Sequence, residues 1–329
     1  MKRCVSGIKP TGKLTLGNYI GAISQFIQLQ DEYEMYIFIA NLHAITETQD
    51  TKALKQNTKD LIALYLACGL DPKKVTMFLQ SDVKEHAELG WIMTCHSYMG
   101  ELSRMTQYKD RSQKKEANIT AGLFTYPSLM AGDILLYDAD VVPVGIDQKQ
   151  HVELARDLAN RFNHLYQELF TVPTPITPKI GAKIKSLQSP TKKMSKSEEN
   201  QKGCIYLLDD PAVARKKIMS AVTDSIGVIR FDEANQPGVS NLLMIASTLS
   251  GESIDSFTKR LHGAGYGILK KEVGEIVYNF LTDLQKDYQD ILASNILETT
   301  LQDGAERARM SACKKMLKVK KKLGFQLFK

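Results

Sequence analysis

A chain of 329 residues can bury a sizeable core, and its length suggests two domains. With 43% apolar and 24% charged residues it has an ordinary globular composition, and no apolar run approaches the ~20 residues that cross a bilayer. The net charge of +6 excludes little, but Lys314, Lys315, Lys318, Lys320, Lys321 and Lys322 crowd the C-terminus, where they suit a polyanion or simply solvate a helix face.

The N-terminal MKRCVSGIKP reaches Gly7 and Pro10 before any apolar run develops, so a cleaved leader is not expected and the cytoplasm is the expected location. Val5 to Ile8 reads as a short strand closed by the turn Lys9-Pro10-Thr11-Gly12. A helix follows with Ile20, Ile23 and Ile27 on one face and Phe26 beside it. Tyr36 to Ala40 has the continuous apolar pattern of a strand buried on both faces. Lys52 to Ala67 predicts a helix stopped by Gly69, Val75 to Leu79 another strand, and Glu85 to Met99 another helix. Val141 to Val144 gives a further strand, followed by an amphipathic helix carrying Val152, Ala155, Leu158, Ala159 and Phe162. Such alternation predicts an α/β fold, a Rossmann-like parallel sheet covered by helices, with ligands at the carboxyl ends of the strands.

Between about Thr171 and Asn200 the prolines 173, 175, 178 and 190 break any long element, and beyond Pro211 the chain reads as mostly helical. Near the end, Ala308, Ala312, Met316, Val319 and Leu323 recur at helical spacing. The expected division is a catalytic domain over 1–190 and a mostly α-helical region over 191–329. Its last helix, about 300–325, is a candidate to pack back on the catalytic domain. The five cysteines form no CxxC pair and read as small core residues. The six histidines form no HExxH motif, so no protein-bound metal is expected.

Two short stretches carry phosphate chemistry. Gly12-Lys13-Leu14-Thr15-Leu16-Gly17-Asn18 has the glycine spacing of a P-loop, but Asn18 stands where that motif requires lysine. Gly17 still lets a ligand approach the backbone, and a helix N-terminus offers free N–H groups and a positive dipole end. Turn chemistry plus an N-cap accounts for the same residues. Far along the chain, Lys193-Met194-Ser195-Lys196-Ser197 places two lysines among hydroxyls, a set suited to the charge that builds on departing pyrophosphate. Alone, this pentapeptide is equally a solvated loop.

Together and in this order, the two resemble the paired signatures of class I aminoacyl-tRNA synthetases. Thr15-Leu16-Gly17-Asn18 matches the first signature, usually HIGH, in its T-[IL]-G-N form, and Lys193 to Ser197 matches KMSKS letter for letter. The resemblance sharpens to tryptophanyl-tRNA synthetases of bacterial type over SGIKPTGKLTLGNYIGAI, NLHAIT, GELSRMTQYKD and the long block from Leu123 to Asn163. It extends through AVTDS near Ala221 to the chain end, more loosely after about Gly251.

That resemblance implies tryptophan and ATP as substrates, with Mg²⁺ carried mainly on the ATP phosphates, tRNA(Trp) as partner and a homodimer as the assembly. An indole presents one N–H donor on an apolar ring, so its pocket needs one acceptor among apolar walls. Asp133 matches the family's acceptor, while Val5, Gly7, Met130, Ile134, Val142 and Val144 match the lining. His43 matches a residue near the ring, and Tyr126 and Gln148 match those at the substrate's ammonium end. The residues alone allow Asp133 to be a helix cap, His43 a structural histidine and the others plain core.

Arg111 matches a basic position that reaches the triphosphate, and Gly145, Asp147 and Ile184 match adenosine-side positions. Lys9, Pro10, Thr11, Ile146, Met194, Ser195 and Ser197 fall beside the nucleotide in the same alignment of motifs. Lys9 stands where many relatives carry glutamine, Asn41 replaces a common aspartate, and Ile146 occupies a place often acidic. The implied chemistry is in-line attack by the tryptophan carboxylate on the α-phosphate. Thr15, Gly17 and Asn18 would cradle the phosphates, and Arg111, Lys193 and Lys196 would stabilise the leaving pyrophosphate. Rival readings are a tyrosyl-specific enzyme, a tRNA-independent adenylyltransferase and a non-catalytic RNA-binding paralogue.

Overall fold

Five parallel strands form one sheet in a computed structural model that describes residues 1–113, 119–145, 148–176, 184–195 and 200–326. They are β1 (Arg3–Ile8), β2 (Glu34–Ile39), β3 (Val75–Leu79), β4 (Val141–Pro143) and β5 (Thr174–Ile176), arranged β3-β2-β1-β4-β5. Met35 to Ile39 are buried without a break because helices cover both faces of β2. The chain builds outward from β1 through β2 to β3, then crosses over to β4 on the other side. That reversal opens a crevice at the carboxyl ends of β1 and β4.

Three predicted elements need correction. The strand β5 falls inside the proline-broken stretch. Pro175 suits an edge position, where no ladder donor is required of it, and its partner across the ladder is Val142. The helix expected over 85–99 runs Glu85–His96, where Ser97 turns extended before a short helix Met99–Leu102. The helix bearing Asp133 begins at Ala121, capped by Thr120, and runs to Leu135 through Pro127. Asp133 therefore lies in its last turn, far from the N-terminus it was expected to cap. Of the cysteines, Cys4 and Cys204 are buried, whereas Cys95 and Cys313 are exposed.

Glycines bring two pairs of elements into backbone contact. A Cβ on Gly132 would lie 2.8 Å from the Gly90 nitrogen, so the Glu85–His96 and Ala121–Leu135 helices cross with almost nothing between them. A Cβ on Gly304 would meet the Met77 carbonyl oxygen at 1.8 Å, so the last helix, Ile296–Lys322, lies directly on edge strand β3. Ala305, Ala308, Ala312, Met316 and Val319 of that helix are buried in the same core cluster as Phe78 and Leu89.

Its lysines divide accordingly. Lys315 is buried and bonds Asp138 and the Leu169 carbonyl; burial pulls its ammonium below the usual range, against the pull of Asp138. Lys320 pairs with Glu88 at 2.8 Å, and Lys322 donates to Gln167 at 2.6 Å. Half of the basic cluster thus holds the helix to the sheet domain, which narrows the set that faces solvent.

Candidate active site

A cavity of 430 Å³ opens at the crevice between β1 and β4. Val5, Gly7 and Ile8 of β1, Val142 and Pro143 of β4, and Met130 and Ile134 of the Ala121–Leu135 helix line it. His43, Tyr126, Val144, Gly145, Gln148 and Lys9 complete the part expected from sequence. Gly7 is needed for shape: a Cβ there would lie 2.5 Å from the Phe38 ring, which forms part of the floor. Phe26, Tyr65 and Leu123 also line the cavity and read in sequence as plain core.

Asp133 is the one expected pocket residue that does not line the cavity. It is fully buried one layer behind, and His43 stands between. His43 Nε2 lies 2.7 Å from Asp133 Oδ2, while His86 Nδ1 at 2.6 Å and Gln80 Nε2 at 2.8 Å reach Oδ1. Burial alone would raise this carboxyl. The hydrogen bonds and charges of His43 and His86 outweigh that and bring it down to about 2. An ionised carboxylate only accepts, so each ring nitrogen facing it carries a proton. His86 Nε2 lies 2.8 Å from the Tyr137 hydroxyl. Burial and the nearby Asp133 charge hold the Tyr137 hydroxyl far above its ordinary range.

Gln80, His86 and Tyr137 were not singled out from sequence. The available signal was His86 on a helix face otherwise made of Leu89 and Met93, a polar side chain at a core position. On the other wall, the Tyr126 hydroxyl lies 2.5 Å from Nε2 of buried His151, which fixes the tyrosine's direction into the cavity. Lys9 and Glu47 form an ion pair of 3.6 Å at the rim, both side chains part-exposed. Asn41 is committed elsewhere, donating to Ser81 Oγ at 2.7 Å.

The two phosphate candidates meet. A Cβ on Gly17 would have Met194 at 3.6 Å and Ile184 at 3.7 Å, so the two signatures touch although 176 positions separate Gly17 from Lys193. Met194 and Ile184 are buried and share a backbone hydrogen bond, Met194 N–H to Ile184 O at 2.9 Å. They anchor a segment on which Lys193 and Ser195 are exposed.

Thr15 and Asn18 form a reciprocal capping box: the Asn18 N–H donates to Thr15 Oγ1 at 3.2 Å, and Asn18 Oδ1 accepts from the Thr15 N–H at 2.9 Å. Just beyond, Tyr19–Ile23 is π-helical, a widened turn that proteins often place at functional sites. Pro10 and Thr11 form the turn between β1 and this helix. Arg111 lies on the helix Thr106–Gln113, its side chain outside the described residues, as are Ile146, Asp147, Lys196 and Ser197.

Residues 1–282 match the model of the class I tRNA synthetases for tryptophan and tyrosine (W and Y). That group leaves the amino acid open. A tryptophan–tRNA ligase of Oceanobacillus iheyensis is 55% identical over 324 residues, which cover 98% of this chain and 99% of the relative. The chain belongs to the bacterial tryptophan–tRNA ligases. Solved tryptophanyl-tRNA synthetases agree over 98% of the chain. That of Mycoplasma pneumoniae has a TM-score of 0.87 at 42% identity and is covered to 98%. That of Campylobacter jejuni, solved with ADP and tryptophan, has a TM-score of 0.84 at 38% identity and is covered to 99%. The Rossmann-like sheet and the helical C-terminal region are therefore those of a tryptophanyl-tRNA synthetase, and the chain is an ATP-dependent enzyme of that class.

Proposed function

We infer that the chain activates L-tryptophan with ATP to tryptophanyl-adenylate and pyrophosphate, and then transfers tryptophan to the 3′ end of tRNA(Trp). The observation that carries this reading is the juxtaposition of one cavity and one phosphate site. The apolar cavity reaches the end of β1 at Ile8 and Lys9 and has the ionised Asp133 behind its wall, and Gly17, nine residues past that strand, packs against Met194. In this reading tryptophan fills the cavity, its indole N–H directed to Asp133. The ring packs among Val5, Gly7, Met130, Ile134, Val142 and Val144, with His43 beside it and Tyr126 and Gln148 at its ammonium end.

The substrate carboxylate is already ionised, so no protein base is required, and catalysis rests on positioning and charge. Thr15, Gly17 and Asn18 receive the phosphates. Because Thr15 and Asn18 cap each other and the Leu16 N–H donates to the Ile205 carbonyl, their positions are pre-set and, among the described residues, the Gly17 N–H is the one of that turn left for a phosphate oxygen. Lys193, Lys196 and Arg111 balance the pyrophosphate as it leaves. Pro10, Thr11, Gly145, Ile146, Asp147, Ile184, Met194, Ser195 and Ser197 surround the nucleotide, with Lys9 adding a cation at its edge. Mg²⁺ enters on the phosphate oxygens and neutralises part of their charge.

The helical part beyond about residue 190 is the region we assign to tRNA, with Lys314, Lys318 and Lys321 as its phosphate contacts at the C-terminus. A homodimer is supported by an exposed apolar stripe. Trp91 and Cys95 stand four residues apart on the Glu85–His96 helix, and Tyr98 and Met99 follow directly, with Trp91 69% and Met99 71% exposed. Among the described residues no helix is long and apolar enough to cross a membrane, and charging of tRNA places the chain in the cytoplasm.

Tryptophan-dependent exchange of labelled pyrophosphate into ATP, run without tRNA and with tyrosine as control, tests the activation step. Exchange with tryptophan alone is expected. Exchange with tyrosine would overturn the assignment of the cavity, and exchange with neither would overturn the reaction.

A further inference from the structure

The carboxylate behind the cavity wall is held asymmetrically. Each carboxylate oxygen offers about two acceptor directions. Oδ1 of Asp133 uses both, for His86 Nδ1 at 2.6 Å and Gln80 Nε2 at 2.8 Å. Oδ2 receives His43 Nε2 at 2.7 Å and, among the described residues, no other side chain. His43 is also the member of this network that lines the cavity. The open acceptor capacity therefore sits on the oxygen held by the cavity-lining His43, reached beside that ring or in its place.

What fixes this division of labour lies further back. The close crossing of Gly90 and Gly132 brings His86 of one helix onto Asp133 of the other. Phe38 and Phe78 pack around the imidazole, with ring centroids 5.3 Å and 5.7 Å away. The Tyr137 hydroxyl, 2.8 Å from His86 Nε2, ties down the far side of the ring. With Nε2 held there, the Nδ1–H stays aimed at Oδ1. Oδ1 is thus occupied from behind, and Oδ2 keeps its remaining acceptor capacity for a donor in the cavity.

We propose that Tyr137 and His86, neither of which lines the cavity, are positioning residues that set the enzyme's preference for an indole N–H by acting through Asp133. This rests on Asp133 being the indole acceptor. Removing the Tyr137 hydroxyl orphans His86 Nε2, frees the ring to change tautomer or turn, and loosens Oδ1. A loosened carboxylate discriminates less between a ring that donates and one that does not.

The test compares tryptophan with its benzothiophene analogue, in which sulfur replaces the indole N–H, in pyrophosphate exchange. The ratio of their kcat/KM values reads the N–H bond itself, and a merely structural defect lowers both values together. Tyr137→Phe and His86→Leu are expected to narrow the ratio about 3- to 10-fold, the worth of one hydrogen bond, with the KM for ATP unchanged. His86→Asn, whose amide can still donate toward Oδ1, is expected to recover most of it. Asp133→Ala should abolish the preference. If Asp133→Ala abolishes it while Tyr137→Phe leaves the ratio unchanged, the relay is wrong and the acceptor assignment stands. If Asp133→Ala itself leaves the ratio unchanged, the acceptor assignment fails and the relay with it. Tyr137→Phe removes a single oxygen, so it decides the matter even if His86→Leu does not fold.

Discussion

Behind the wall of the amino-acid cavity the polar groups are buried and already paired, whereas on the nucleotide side the described Lys193 and Ser195 are exposed. Asp133, His86 and Gln80 are fully buried, and each has its hydrogen-bonding partners within the protein. Lys193 and Ser195 are exposed on either side of buried Met194, and Lys193 forms a β-bridge with Lys185. The difference follows from what each side must do. An indole is told from other rings by one N–H, so its acceptor must be rigid and shielded from water. A triphosphate is recognised by charge, and the cations that follow it to pyrophosphate must be free to close on it and let it go. One side is built by packing and the other by a motif on a loop.

Substitution can break that contrast, and the largest effects should come from the solvent side. Lys193→Ala and Lys196→Ala should each lower kcat for pyrophosphate exchange by about 10²- to 10³-fold, as loss of one preorganised charge does elsewhere. The KM for tryptophan should hardly move. A comparable rise in that KM would mean that the lysines also shape the cavity.

On the packed side, Gly132→Ala should cost about 1–3 kcal/mol of stability, because the new methyl meets Gly90 backbone rather than a side chain that can turn aside. It should also raise the KM for tryptophan by separating His86 from Asp133. Urea denaturation and exchange kinetics on the same variant check both effects, and an unchanged KM would uncouple the helix crossing from the acceptor.

Asp133→Asn sharpens the comparison through pH. The native carboxyl lies at about 2 against an ordinary 3.8, so its ionised form stabilises the fold by about 2 kcal/mol. That contribution is complete above pH ~4 and disappears as pH falls toward ~2. The stability gap between the native chain and Asp133→Asn should therefore be flat from pH 5 to 8 and shrink below pH 4. A gap that is constant through pH 3 would mean that the carboxyl is not depressed. Since His43, His86 and Gln80 all donate to this group, the neutral amide also leaves at least one of them without an acceptor.

Away from both sides, Gly304→Ala should lower stability by about 1–3 kcal/mol with exchange kinetics unchanged, because its Cβ strikes the Met77 carbonyl at the edge of the sheet. The smallest effect is expected at Thr15→Ala. It removes one cap hydrogen bond, about 1 kcal/mol, and a larger loss in kcat than in stability would mark the hydroxyl as a phosphate contact as well.

The sequence by itself determined the alternation of strand and helix and the positions of both phosphate signatures. Local spacing dictates such features: a strand buried on both faces must be apolar throughout, and a turn that admits phosphate needs its glycine in place. The wall from Val5 through Met130 to Val144 was legible as a pocket only through the family resemblance, since by spacing those residues are plain core. Only the tertiary structure decided the fifth strand, since Pro175 erases the local strand signal and just the free edge beside Val142 accommodates it. It alone placed Asp133 behind His43, set His86 and Tyr137 behind Asp133, and turned Lys315 from a solvated charge into a buried anchor. Those outcomes depend on which elements meet, through the glycine contacts of 90 with 132 and of 304 with Met77. No residue's own neighbours in sequence encode what it will face across a helix crossing.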